Sequence, residues 1–159
     1  MERFGFWYAH GMATQATYDD VNLILRLYEL RREPRMREAR RWFSESFKAR
    51  TIEEVAALCP PGSDANASLR MVTSYWEMAA SFVAGGVLSP ELFFQNCREM
   101  LFVWERVRDT VPKTREAYKD PAAFKNMESV AGAFVQWMNR QSPDMYADFS
   151  ARVRGERAG

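Results

Sequence analysis

Histidine is almost absent from this sequence: His10 is the only one, and it stands near the start of the chain. Structural zinc sites usually draw on several Cys or His ligands, so a site of that kind is not expected. A Ser-His or Cys-His nucleophile would have to recruit His10, and no serine lies in a G-x-S-x-G turn. Cysteine is scarce too. Cys59 and Cys97 are far apart and form no C-x-x-C pair, which predicts two small, reduced, partly buried side chains in a cytoplasmic protein. Phosphate-cradling loops of the G-x-x-x-x-G-K-[ST] or G-x-G-x-x-G type are missing, which argues against nucleoside triphosphate chemistry. Long apolar runs are missing as well. Residues 78–88 are too few for a membrane span of about 20 residues and contain Gly85-Gly86. Near the start, Glu2, Arg3 and His10 interrupt the apolar residues, so no secretory signal is read there. Finally, neither charge dominates. With 22 Lys and Arg against 21 Asp and Glu the chain carries +1, unlike a nucleic-acid coat protein or an acidic buffer protein. The residues imply no catalytic set, metal or cofactor.

Rings and helix signals are abundant. Phe, Tyr and Trp make up 14% of the 159 residues, enough ring surface for a thick core, an interface, or both. The length suits one domain that folds without disulfides or metal. Thr17 with Asp20, and Thr51 with Glu54, have the three-residue spacing of capping boxes. Val21, Ile24, Leu25 and Tyr28 then fall on one helical face, and Met36, Ala39, Phe43 and Phe47 on another. A central helix is read over 64–84, apolar across a wide arc, stopping at Gly85-Gly86. Ser89-Pro90 opens a helix to about Arg108, and Asp120-Pro121 opens one to about Arg140. A last short helix starts at Ser142-Pro143. No strand-like alternation of useful length and no fixed repeat accompanies these. The expectation is an all-α, single-domain bundle of about five to seven helices, with neighbours antiparallel across short loops. Residues 1–16 form an aromatic N-terminal segment, 17–153 the bundle, and 154–159 a flexible tail.

Several short motifs carry a resemblance. They are Tyr75-Trp76-Glu77, then Gly86, Leu88 and Ser89-Pro90-Glu91-Leu92, then Trp104, Arg115 and Met127-Glu128, with Tyr28-Glu29-Leu30 nearer the start. On these residues, mainly over 71–130, the chain resembles an uncharacterised bacterial family of helical domains of unknown function. Some members of that family carry a membrane helix ahead of the domain; this sequence has none. The resemblance implies an all-helical fold and no assigned activity.

Three groups of residues could carry chemistry. Glu77, Glu105 and Glu128 stand on three helices; if these pack together, the carboxylates could converge with Arg115, as acid, base or metal ligands. The plainer reading pairs each glutamate with an arginine or with water. Arg31, Arg32, Arg35, Arg37, Arg40 and Arg41 stand against only Glu33 and Glu38. Of these, Arg37, Arg40 and Arg41 are the candidates for binding an anion or nucleic acid, because guanidinium forks suit phosphate. The plainer reading is a solvated face with pairs among Arg37, Glu38, Arg41 and Glu45. Phe4, Phe6, Trp7 and Tyr8 are candidates for docking, either on the chain's own bundle or across a homo-oligomer interface. Together these features favour a non-enzymatic helical interaction module whose partner is another copy of itself or another protein. The alternative is nucleic-acid or anion binding through residues 31–41.

Overall fold

The structure is a computed structural model that describes residues 15–156. Phe4, Phe6, Trp7, Tyr8 and His10 lie outside the described residues. Nine helices follow one another among those described: α1 (Tyr18–Arg31), α2 (Pro34–Ser46), α3 (Ile52–Leu58), α4 (Asp64–Ala84), α5 (Pro90–Asn96), α6 (Arg98–Val107), α7 (Val111–Tyr118), α8 (Lys125–Gln141) and α9 (Met145–Arg154). There is no strand among them. The all-helical, single-domain expectation therefore holds, while the count of five to seven was too low.

Local chemistry explains the helix ends that were expected. Thr17 and Asp20 form the capping box of α1, and Thr51 and Glu54 that of α3, each side chain accepting from the other residue's N–H. Ser89 accepts from the N–H of Leu92 ahead of Pro90. At the end of α4, Gly86 takes φ of 76°, a conformation that favours glycine. Two expected helices were read too long. Cys97 leaves the helical region at φ −122°, ψ 42°, which splits the run from Ser89 to Arg108 into α5 and α6. Just before it, the Asn96 side chain donates to the Leu92 carbonyl and competes with the backbone ladder. Asp120 accepts from Ala122 N–H at 2.9 Å, but that turn ends at Phe124, which sits at φ 58°, and α8 starts only at Lys125.

Helix α4 is central, packing along both α2 and α8, while α6, α8 and α9 close the far side. Rings run through the middle. Trp76 meets Tyr75 at 4.9 Å and Phe93 at 6.4 Å, and Phe94 packs at a tilt against Phe134 at 4.6 Å. Met36, Ala39, Phe43 and Phe47 are buried as their spacing predicts. Helix α1 is the departure. It is rotated about a quarter turn from the expected face, so that Asp20, Leu27 and Arg31 point inward. Two polar contacts account for this. Asp20 accepts from Ser89 N–H at 2.7 Å, and Arg31 lies 5.2 Å above the Trp76 ring beside Glu99. Tyr18, Val21, Leu25 and Tyr28 consequently face outward, with Tyr18 80% and Leu25 54% exposed.

Candidate functional site

Helices α2 and α6 face each other across an open cleft of about 470 Å³, with Val72 of α4 and Phe149 of α9 in its wall. The floor is apolar: Phe43 packs edge-on against Phe102 at 6.1 Å. The rim is basic, carrying Arg37, Arg40 and Arg41 from α2 and Arg98 from the first position of α6. Glu99 is the acidic group in the lining, and its charge is already engaged. Arg40 donates from Nε at 2.7 Å and from Nη2 at 2.5 Å, a two-pronged grip on the carboxylate. Arg31 approaches the same carboxylate at 3.8 Å, and Arg40 also donates to the Arg31 carbonyl at 3.2 Å. Hydrogen bonding to Glu99 raises the pKa of Arg40 further above its already high value.

The other three arginines differ. Among the described residues, Arg37, Arg41 and Arg98 have no ion-pair partner. The pairs with Glu38 and Glu45 that spacing suggested do not form. Arg37 and Arg41 stand one turn apart on α2, so both reach the same side. Arg98 completes the rim from a place 57 positions further along the chain, the difference between 98 and 41. Sequence reasoning missed it. Its one signal was a charged pair, Arg98-Glu99, interrupting the apolar residues Cys97 and Met100.

The carboxylate candidates do not gather. Among the described residues no three His, Cys, Asp or Glu side chains stand close enough to hold a metal ion. Glu77 acts as a remote helix cap: it accepts from Asn126 N–H at 2.9 Å, from Asn126 Nδ2 at 2.9 Å and from Met127 N–H at 2.8 Å. That supplies α8 with the acceptor it lacks locally, since Phe124 offers no side-chain bond. Arg115 and Glu128 do come together, at 2.7 Å, and Arg115 also donates to the Ala123 carbonyl. Glu105 is elsewhere and only 1% exposed. Tyr146 donates to it at 2.5 Å, Ser150 at 2.8 Å and Arg108 at 3.3 Å.

Those bonds fasten α9 to α6, and two more arginines fasten its end. Arg106 donates to the carbonyls of Val153 and Phe47, and Arg50 donates to that of Arg154. Arg154 itself pairs with Asp109 at 2.7 Å. The expected flexible tail therefore does not begin at Arg154; residues 157–159 lie outside the described residues. Burial and the bond to Glu105 both raise the pKa of Tyr146. Cys97, buried behind the cleft near Arg31 and Glu99, has its thiol pushed up to about 11 by burial.

A family model described as a domain of unknown function, DUF4760, matches residues 16–137. The chain belongs to that family. The match contains the whole of 71–130, where the short motifs first suggested a helical family of unknown function. No curated protein and no solved structure matches the chain. Within this DUF4760 domain lie every arginine of the cleft and all three carboxylate candidates, Glu77, Glu105 and Glu128. Helix α9 lies beyond the matched span yet contributes Phe149 to the cleft wall. No helix among the described residues is long and apolar enough to cross a membrane.

Proposed function

We propose that this chain is a non-enzymatic binding module that takes an anionic partner at the cleft between α2 and α6. The observation that carries this reading is the set of three arginines, Arg37, Arg41 and Arg98, lining one concavity without acidic partners among the described residues. Guanidinium groups left unpaired beside a partly dry wall gain most from a carboxylate or phosphate. The non-enzymatic part rests on what the carboxylates already do, since Glu77, Glu105 and Glu128 are each engaged by structural partners. A reducing, cytoplasmic setting fits two buried and unpaired cysteines. The test is a two-dimensional amide NMR titration with inorganic phosphate at low salt. Shifts are expected at residues 37–44 and 98–102, weakening as salt rises and disappearing in Arg41→Glu. Shifts scattered elsewhere, or none up to tens of millimolar phosphate, would remove the proposal.

A second reading has its own observation. Tyr18, Val21, Leu25 and Tyr28 form a continuous outward stripe on α1, and such a stripe fits a second copy of the chain laid against it. Sedimentation at several protein concentrations checks it: self-association that Leu25→Glu abolishes supports a homo-oligomer. A monomer at every concentration excludes one.

A further inference from the structure

The cleft has two chemically distinct parts, and its ligand should have the same two. Resting on the anion-binding reading above, we infer that the cleft takes a small amphiphilic anion: a phosphate or carboxylate head on a compact apolar body. The head belongs at the rim, where Arg37, Arg41 and Arg98 carry charge that nothing in the described protein neutralises. The body belongs against the half-buried ring of Phe102, with the buried Phe149 and Val72 from two other helices forming the wall behind it. A volume of about 470 Å³ lies within the range of roughly 300–1,000 Å³ typical of small-ligand sites.

A polyanion fits less well. Nucleic acid is usually held by an open basic track and drawn in by a positive overall charge. Here the chain carries +1, and the three exposed arginines border one open cleft together with Phe102 and Phe149. Arg35, one of the arginines of the same basic run, borders a different recess together with Glu38 and Asp64. The basic run is thereby divided, and only part of it serves the cleft. Glu99 sets a limit on the head group. Because Arg40 holds it in place, one acidic edge stays fixed beside the rim, which favours a compact head over an extended multi-charged one.

The experiment compares 1-naphthyl phosphate, inorganic phosphate and 1-naphthol on the full chain, by calorimetry or NMR titration. The naphthyl ester should bind at least about tenfold more tightly than phosphate, and the neutral naphthol weakly. Intermolecular NOEs should connect its ring protons to Val72, Phe102 and Phe149. Phe102→Ala should weaken the naphthyl ester enough to bring the two phosphates to within about threefold of each other. The NOEs are read on the unaltered protein, so the test survives if that variant fails to fold. Equal affinity for the ester and for phosphate overturns this inference and leaves the anion-binding reading intact. If neither binds, both are overturned. Tight, steeply salt-dependent binding of a single-stranded oligonucleotide, or sedimentation with phosphatidylglycerol vesicles, without naphthyl phosphate binding, also overturns it.

Discussion

Glu77→Ala removes three acceptor contacts from the start of α8 at once. A lost N-terminal cap costs about 0.5–2 kcal/mol, and a carboxylate near a helix N-terminus contributes about 0.3–1 kcal/mol through the macrodipole. The sum, about 1–3 kcal/mol, has no local replacement, because Phe124 precedes α8 in a left-handed conformation without a capping side chain. For a domain of this size that corresponds to a fall in Tm of roughly 3–10 °C. Urea unfolding followed by tryptophan fluorescence measures the change, and an unaltered m-value shows that the same surface is still buried. Glu77→Gln keeps an acceptor oxygen but not the charge and should lose about half as much. Hydrogen exchange should quicken first at residues 125–129, ahead of any global change. If Glu77→Ala stays within about 0.5 kcal/mol of the parent and those amides remain protected, the remote-cap argument is wrong.

Three other outcomes follow from the same structure. Asp20 has its pKa held below the ordinary 3.8, mainly by accepting from the N–H groups of Thr17 and Ser89; the unfolded state then binds more protons in acid. Its contribution is complete above about pH 4 and is lost as pH falls through the lower folded value, so Asp20→Asn should flatten the acid limb of a Tm-versus-pH curve. Glu105→Ala leaves Tyr146 and Ser150 without their buried acceptor and should cost about 3 kcal/mol, with faster exchange across residues 145–154 as the direct readout. Cys59 and Cys97 are buried, and burial raises both thiol pKa values, so iodoacetamide at pH 8 should label neither until urea unfolds the chain, as intact-mass spectrometry would show.

What the sequence reveals here depends on how far apart the interacting groups lie. The capping boxes at Thr17 and Thr51 were legible because donor and acceptor are three residues apart. The apolar stripe of α2 was legible because Met36, Ala39 and Phe43 repeat at helical spacing. The rotation of α1 was hidden. It depends on Ser89 meeting Asp20 and on Trp76 and Glu99 meeting Arg31, contacts between residues 45 or more positions apart (76 minus 31 at the nearest). The same distance hid the true work of Glu77, whose acid side chain looked like chemistry and serves a helix 49 positions away. The cleft falls between these cases. Arg37, Arg40 and Arg41 were visible as a cluster, but nothing local divides the bound Arg40 from the two that remain free. Arg98 enters only once Cys97 breaks the chain's course between α5 and α6.

The position of α9 separates charge from shape. Every basic group at the cleft comes from α2 or α6, inside the matched span of 16–137, whereas Phe149 comes from outside it. A chain cut back to that span would keep the full set of guanidinium groups, lose one wall of the recess, and bare the carboxylate of Glu105 to water. Exchanging α9 for another helix that still satisfies Glu105 would recut the recess for a different ligand body without moving a single arginine. Attraction and discrimination thus sit on separate stretches of chain, and each can change while the other stays fixed.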